Sequence, residues 1–354
     1  MADSLASIRS KIDALDARLL SLLSARAGLA QRAWLAKGKA SAYKPEREAQ
    51  VLRRVRELNR GPLSAEALTR LFTEIMSACR ALEEQMAVAY LGPEGTFSEE
   101  AVVKHFGAAT GGRPQAGIDE VFRAVESGES AFGVVPVENS TEGAVGRTLD
   151  LLLTTSARIC GEVNLPVRQN LMSNAAGRSS IRTVYSHTQS LAQCQGWLAR
   201  HLPDAERVAV VSNAEAARLA ARDRRAAAIA SRTAATLYGL KLLARNIEDD
   251  PKNTTRFAVI GREDAAPSGR DKTSLILSTR NVPGAIHDLL TPLARHGVSM
   301  TRLESRPART GRWEYVFYID IEGHRADTPV AQALAALEAK AAMFKLLGSY
   351  PAAR

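Results

Sequence analysis

At 354 residues, with 45% hydrophobic side chains, the chain has material for two or three ordinary domains, each with its own core. Its formal charge of +9 comes from Lys and Arg scattered among Asp and Glu. That pattern excludes the dense basic tract of a nucleic-acid binder and suits small substrates bearing several carboxylates.

No apolar run approaches the length that spans a bilayer, so no membrane partner is expected. The stretch from Met1 to Asp16 carries acidic residues and runs straight into a helical repeat, unlike an export signal. Cys79, Cys160 and Cys194 have no metal-ligand spacing, and their odd number fits no disulfide scaffold. A reducing cytoplasm is therefore the expected location.

Leu5, Ile8, Ile12, Leu15, Leu19, Leu22, Leu29 and Ala33 recur at steps of three and four, predicting one long amphipathic helix from Ser4 to about Lys37-Gly38. A second helix is predicted over Glu46–Asn59, after Pro45 and before Gly61-Pro62. Ser64 is placed to cap a third. Three such helices are too open to bury their stripes alone, so an antiparallel homodimer, or a higher homo-oligomer, is expected.

Arg26 and Lys37 lie eleven residues apart, on one side of the helix and about 16 Å from each other. Arg9 is rotated away and roughly 25 Å from Arg26, within reach of it only across a dimer. Arg47 and Glu48 open the second helix, and Cys79 and Glu83 share a face of the third. IRSKIDALDARLLSLLSAR, YKPEREAQVL and LFTEIMSACRALE resemble the all-helical chorismate mutases.

That resemblance implies that Arg26, Arg47 and the partner's Arg9 hold the two carboxylates of chorismate. Lys37 and Glu83 would meet the breaking ether oxygen, and Glu48 the ring hydroxyl. The reaction is a pericyclic rearrangement, so catalysis is shape selection plus positive charge at the ether oxygen. An ionised Glu83 would repel that oxygen, and a protonated one is expected. Cys79 stands where relatives carry a small polar residue, and its thiol is a weaker donor.

From Ala87 onward short apolar strands alternate with helices. Ala87–Leu91 leads into the turn Gly92–Ser98, which lacks both the dinucleotide fingerprint and a phosphate-loop lysine. Helices are predicted over Asp119–Ser127 and Gly146–Thr155, with strand Ala131–Val137 between them. A second run predicts strands at Ile181–Tyr185, Arg207–Val211 and Ala226–Ala230, and helices over Gln189–Arg200 and Asn213–Arg222. The polar knot Asn253–Phe257 is expected just before strand Phe257–Ile260.

Strand-end loops of two small α/β lobes commonly meet at a cleft. His187 alone is ambiguous between a catalytic group and a helix cap. YLGPEGTFSEEA, FGVVPVENSTEGAV, SHTQSLAQC and NIEDDPKNTTRFAVIG resemble prephenate dehydratase. The resemblance implies two periplasmic-binding-protein-like lobes that convert prephenate to phenylpyruvate, water and carbon dioxide. By it, Thr255 serves the leaving hydroxyl as donor or proton relay, and Arg256 anchors a carboxylate. Asn139, Ser186 and Gln193 orient the ring, while Glu138 either adjusts the proton inventory or stabilises a loop.

Arg262–Asp271 is polar and rich in Gly, Pro and Ala, the clearest boundary. Beyond it the order is strand Thr273–Ser278, helix Gly284–His296, strands Met300–Arg306 and Glu314–Glu322, helix Pro329–Ala342 and strand Phe344–Ser349. This βαββαβ order predicts a ferredoxin-like sheet with helices on one face. It resembles the ACT regulatory domain through Asn281–Ile286 and Glu304–Pro307. The implied effector is L-phenylalanine, bound between two such modules by Gly284, Ala285, Ile286, Glu304, Ser305, Arg306 and Pro307.

The expected domains are an all-α mutase bundle (1–86), a two-lobed α/β dehydratase (87–262), a linker (263–271) and a ferredoxin-like ACT unit (272–354). Neither implied reaction needs a metal, redox cofactor or covalent group. Two other readings stay open: a dehydratase whose helical front end binds chorismate without rearranging it, and a non-enzymatic small-molecule binder.

Overall fold

The computed structural model describes residues 4–36, 38, 43–279, 282–307 and 315–353. Lys37 and Asn281 lie outside the described residues. The front end is three helices: α1 (Leu5–Ala36), α2 (Pro45–Leu58) and α3 (Ala65–Ala81). Pro45 occupies the first turn of α2, where its missing N–H costs nothing, and the Ser64 hydroxyl accepts the Ala67 N–H to cap α3. No residue of α1 is buried. Its predicted stripe, including Ile8 (42% exposed), Leu15 (54%) and Leu22 (64%), is open along the helix.

The first α/β lobe runs β1 (Ala87–Leu91), α4 (Phe97–Phe106), β2 (Gly111–Gln115), α5 (Ile118–Glu126), β3 (Phe132–Asn139), β4 (Gly143–Ala144), α6 (Gly146–Thr154) and β5 (Arg158–Pro166). The second runs β6 (Asn170–Ser173), β7 (Thr183–Ser186), α7 (Thr188–Gln193), α8 (Gln195–His201), β8 (Glu206–Ala209), α9 (Asn213–Ala220), β9 (Ala226–Ala230), α10 (Arg232–Leu237) and β10 (Lys241–Ala244). The chain then returns to the first lobe as β11 (Thr254–Gly261). The sheet orders are β2-β1-β3-β11-β5, with β4 on β3, and β10-β6-β9-β7-β8. The lobes are joined by two crossings, at β5–β6 and β10–β11.

Two predicted elements are corrected here. The helix expected over Gln189–Arg200 is two, α7 and α8, broken at Cys194. Asp249 explains the break, because its carboxylate accepts from the Gly196 and Trp197 N–H groups (2.8 and 3.0 Å) and starts a new helix there. The strand expected from Phe257 begins at Thr254, so Thr254, Thr255 and Arg256 lie in the sheet rather than before it.

The last unit is β12 (Asp271–Ser278), α11 (Ala285–Arg295), β13 (Met300–Pro307), β14 (Tyr315–Glu322), α12 (Thr328–Lys340) and β15 (Met343–Pro351). Its sheet is antiparallel in the order β13-β14-β12-β15, the ferredoxin-like arrangement. Leu275, Leu277, Phe317 and Ile319 face the helices. Ile276, Val316, Tyr318 and Tyr350 face the first lobe and join its core. Alternation along β12 and β14 thus buries both faces.

Two glycines permit the interdomain contacts. A Cβ on Gly348 (φ +151°) would stand 2.1 Å from the Ile159 carbonyl oxygen, so β15 crosses β5 only without one. A Cβ on Gly107 (φ +81°) would stand 2.4 Å from Cβ of Ser77, where α3 meets the end of α4. The 263–271 stretch, expected as a simple linker, is anchored. Arg53 of α2 donates to the Ser268 carbonyl (3.0 Å), and the Asp271 carboxylate accepts from Ser268 and Gly269.

Candidate active sites

Register decides what the dehydratase strands present. On β11 and β3, Thr255 is paired with Asn139 and Arg256 with Glu138. Side chains alternate across a sheet, so each pair takes one face. Asn139 Nδ2 donates to Thr255 Oγ1 (2.8 Å) and to Asn253 Oδ1 (2.9 Å). Its Oδ1 accepts from the Thr141 hydroxyl (2.6 Å) and the Thr141 N–H (3.0 Å). Asn139 is thus fixed on both sides, and 6% exposed.

From there the hydrogen bonds cross to the second lobe. Gln193 Nε2 of α7 donates to Thr141 Oγ1 at 3.4 Å, a long bond, and Gln193 Oε1 accepts from Gln169 Nε2 at 3.2 Å. Gln169 Nε2 also reaches Ser190 Oγ (2.9 Å), which accepts from Asn213 Nδ2 (2.8 Å). Asn213 Oδ1 in turn accepts from the Ser186 hydroxyl and the His187 N–H, both at 3.0 Å. Thr255, Asn139, Gln193 and Ser186 are therefore brought together along one polar seam between the lobes. Asn253, from the polar knot, belongs to it; so do Gln169, Ser190 and Asn213, which sequence reasoning missed as site residues because each is a lone amide or hydroxyl in a loop or helix turn.

Two buried atoms of the seam, Asn253 Nδ2 and Gln169 Oε1, have no partner among the described residues, one donor and one acceptor. His187 takes the bland role, its Nδ1 accepting the Gln189 N–H at the start of α7 (3.3 Å). Thr96 likewise caps α4.

Arg256 and Glu138 point the other way, toward the C-terminal unit. Arg256 Nε meets Glu162 of β5 (2.8 Å), Nη1 meets Asp320 of β14 (2.5 Å), and Nη2 donates to the Tyr350 hydroxyl of β15 (3.0 Å). Lys272 adds a second cation to Glu162 at 2.8 Å. Burial opposes the Arg256 charge, but Tyr350, Asp320 and Glu162 outweigh it, and the guanidinium is held more firmly protonated than usual. Burial, and then Asp320, push the Tyr350 hydroxyl well up, so it remains a donor. Glu138 lies 2.8 Å from Arg302 Nε of β13. The expectation that Arg256 anchors a substrate carboxylate does not fit this geometry, because Nη1 and Nη2 are engaged with the C-terminal unit and Nε with Glu162 of β5.

In the helical unit Arg26 Nη1 donates to Cys79 Sγ (3.0 Å), tying α1 to α3. Glu48 pairs with Arg80, a buried cation one residue after Cys79. The pattern of single charges gave no reason to separate Arg80 from ordinary last-turn arginines. Arg47 stands beside Glu48 at the start of α2, and Glu83 lies just past the end of α3, in the field of Arg80. Arg9 is exposed on α1. One protomer places Arg26 on α1, Arg47 and Glu48 on α2, Cys79 on α3 and Glu83 just past the end of α3, but leaves Arg9 roughly 25 Å from Arg26 along α1.

Fold and sites together define a regulated enzyme of small carboxylic acids: a helical unit lined with arginines, a two-lobed unit with a polar seam, and a ferredoxin-like module docked on its back. Residues 8–84 match the family model of chorismate mutase type II, 88–265 that of prephenate dehydratase, and 273–339 that of the ACT domain. A bifunctional chorismate mutase/prephenate dehydratase of Stutzerimonas stutzeri is 51% identical over 360 residues, covering 99% of each chain. Its counterpart in Neisseria gonorrhoeae is 51% identical over 348 residues, covering 98% of this chain and 96% of that one. A solved prephenate dehydratase of Arthrobacter aurescens in complex with L-Phe superposes with a TM-score of 0.70 at 36% identity, covering 75% of this chain and 90% of that one. The chain belongs to the bifunctional chorismate mutase/prephenate dehydratase family.

Among the described residues no helix is long and apolar enough to cross a membrane.

Proposed function

We infer that the helical unit rearranges chorismate to prephenate and that the two-lobed unit converts prephenate to phenylpyruvate, under feedback by L-phenylalanine. The observation that carries this reading is the collinear match of all three units to one family along 99% of the chain. Each step is chemistry that fixed charges and donors can perform. For the rearrangement, Arg26, Arg47 and the partner subunit's Arg9 would select the compact conformer by gripping both carboxylates. Lys37 and a protonated Glu83 would oppose charge growing on the ether oxygen. Glu48 would accept the ring hydroxyl. Cys79 would act through Arg26, which its sulfur already holds.

A homodimer built on α1 is the assembly this requires. The open leucine stripe of α1 supports it, because exposed apolar surface on that scale marks an interaction site. An antiparallel arrangement would bring Arg9 of one protomer beside Arg26 of the other.

For the dehydration, Thr255 would donate to the departing C4 hydroxyl while the C1 carboxylate leaves as carbon dioxide; the Asn139 amide fixes its oxygen. Ser186 and Gln193 would orient the ring from the second lobe. Arg256 and Glu138 act instead as the joint between this site and the C-terminal unit.

The effector segment would comprise Gly284, Ala285 and Ile286 at the start of α11, with Glu304, Ser305 and Pro307 on β13. Arg306 faces Asp150 of α6 at 3.4 Å and would transmit rather than bind. Phenylalanine can inhibit only by binding one state of this joint better than the other.

The test follows chorismate loss and phenylpyruvate gain in one reaction, with and without phenylalanine. Consumption of chorismate, appearance of phenylpyruvate and slowing by phenylalanine are expected. Phenylpyruvate formed only from added prephenate would mean that the helical unit no longer rearranges chorismate.

A further inference from the structure

Arg80 is the buried charge that this reading leaves unused. Its side chain, 7% exposed, lies on α3 between the two catalytic units. One guanidinium nitrogen, Nη1, pairs with Glu48 Oε1. The other, Nη2, donates to the carbonyl oxygen of Phe106, the last residue of α4 in the first dehydratase lobe. The guanidinium carbon also sits 5.3 Å from the ring centre of Tyr43, which packs on Phe106 and Phe132.

Arg80 is not alone in gripping that helix end. Glu74 accepts the Ala108 N–H (3.0 Å), and Ser77 Oγ accepts the Ala109 N–H (3.2 Å). Glu74, Ser77 and Arg80 recur every three residues on α3 and hold backbone groups of Phe106, Ala108 and Ala109, at and just past the end of α4. Gly107, between them, leaves no room for a side chain against Ser77.

We propose that Arg80 is a positioning residue for the mutase reaction: it locks Glu48 through Oε1, leaves Oε2 to accept the ring hydroxyl of chorismate, and is itself fixed by the dehydratase lobe. The proposal rests on the mutase reading above. Without the cation, Glu48 can turn about its side-chain torsions and meet the hydroxyl in only a fraction of its conformers. The mutase geometry is thus set partly from outside the helical unit, by the Phe106 carbonyl.

The experiment compares Arg80→Leu, Arg80→Lys, Glu48→Gln and the double variant Arg80→Leu/Glu48→Gln in the full-length enzyme. Mutase kcat and KM are measured with chorismate, and dehydratase kcat and KM with supplied prephenate. Arg80→Leu should lower mutase kcat/KM at least tenfold while dehydratase constants stay within about twofold. Arg80→Lys should recover part of the loss, because a point cation still reaches Glu48. The double variant should be no worse than Glu48→Gln, since both substitutions remove one function.

Unchanged mutase constants in Arg80→Leu, a parallel fall of both activities, or additive losses in the double variant would overturn the proposal. If Arg80→Leu does not fold, the Arg80→Lys constants decide, with a wild-type mutase kcat/KM overturning it. No chorismate turnover in the wild-type enzyme would overturn the mutase reading, and this proposal with it.

Discussion

Thr255 and Arg256 are neighbours on β11, yet they serve opposite faces of the sheet. The Thr255 hydroxyl accepts from Asn139 in the seam between the lobes, at 2.8 Å. The Arg256 guanidinium meets Asp320 of the C-terminal unit, at 2.5 Å. The same division holds on β3, where Asn139 turns to the seam and Glu138 to Arg302. A displacement of the C-terminal sheet would therefore act on Arg256 and Glu138, each the chain neighbour of a seam residue, without needing a long relay.

Thr255→Val keeps the shape of the side chain and removes its only polar atom. Phenylpyruvate formation should fall roughly 100- to 1000-fold in kcat, the usual loss for one donor aimed at developing charge. Prephenate binding, read by equilibrium dialysis, should change little, and Thr255→Ser should restore part of the rate. Near-normal turnover in Thr255→Val would remove Thr255 from the mechanism.

Arg256→Met separates the two roles this arginine has been given. As an interdomain anchor, its loss leaves Asp320 and Glu162 facing a thioether, a cost of about 3 kcal/mol for breaking a largely buried pair. Thermal unfolding should shift down by several degrees, and inhibition by phenylalanine should weaken. An unchanged unfolding temperature with a tenfold higher KM for prephenate would return Arg256 to the substrate.

The legible parts of this molecule were those whose pattern is periodic. Three helices at the front and the βαββαβ order at the back follow from spacing, because each carries an apolar stripe at helical intervals or alternates. β2 escaped notice since Gly111-Gly112-Arg113-Pro114-Gln115 has neither alternation nor apolar content, and it survives as an edge strand paired along one side. The start of β11 was obscured by its polar residues Thr254, Thr255 and Arg256, which are strand residues because the ladders with β3 and β5 take up their backbone. That error of three residues made Arg256 look like part of a loop, free to reach substrate, when strand alternation turns it away. The roles of Glu48, Cys79 and Glu83 came from resemblance, whereas Arg80 needed three dimensions, because its partner Phe106 is 26 residues distant.

The α1 stripe gives an independent check on assembly. Leu15→Asp and Leu19→Asp each place a charge on a surface that is 54% and 55% exposed in one protomer. If that surface is covered by a second copy, either substitution should shift the protein toward monomer in light scattering after size exclusion. Mutase activity should fall with the dimer, since the partner subunit's Arg9 is withdrawn, while dehydratase activity persists. Persistence of both the dimer and full mutase activity would place the interface elsewhere.

Buried thiols supply the pH prediction. Burial pushes the Cys160 thiol from its ordinary 9.0 up to about 12, and raises that of Cys194 as well. Since folding raises these values, the neutral thiols add stability that is complete below about pH 9, where the unfolded chain also keeps its protons. As pH rises further, unfolded thiols ionise while folded ones do not, and the contribution drains away until the folded value is passed near 12. The urea midpoint should accordingly decline across that window. At pH 8, iodoacetamide should leave Cys160 and Cys194 unlabelled in the native enzyme and modify both in denaturant, as read by peptide mass spectrometry. Rapid labelling of either residue in the native state at pH 8 would show that its surroundings open to solvent far more often than this packing permits.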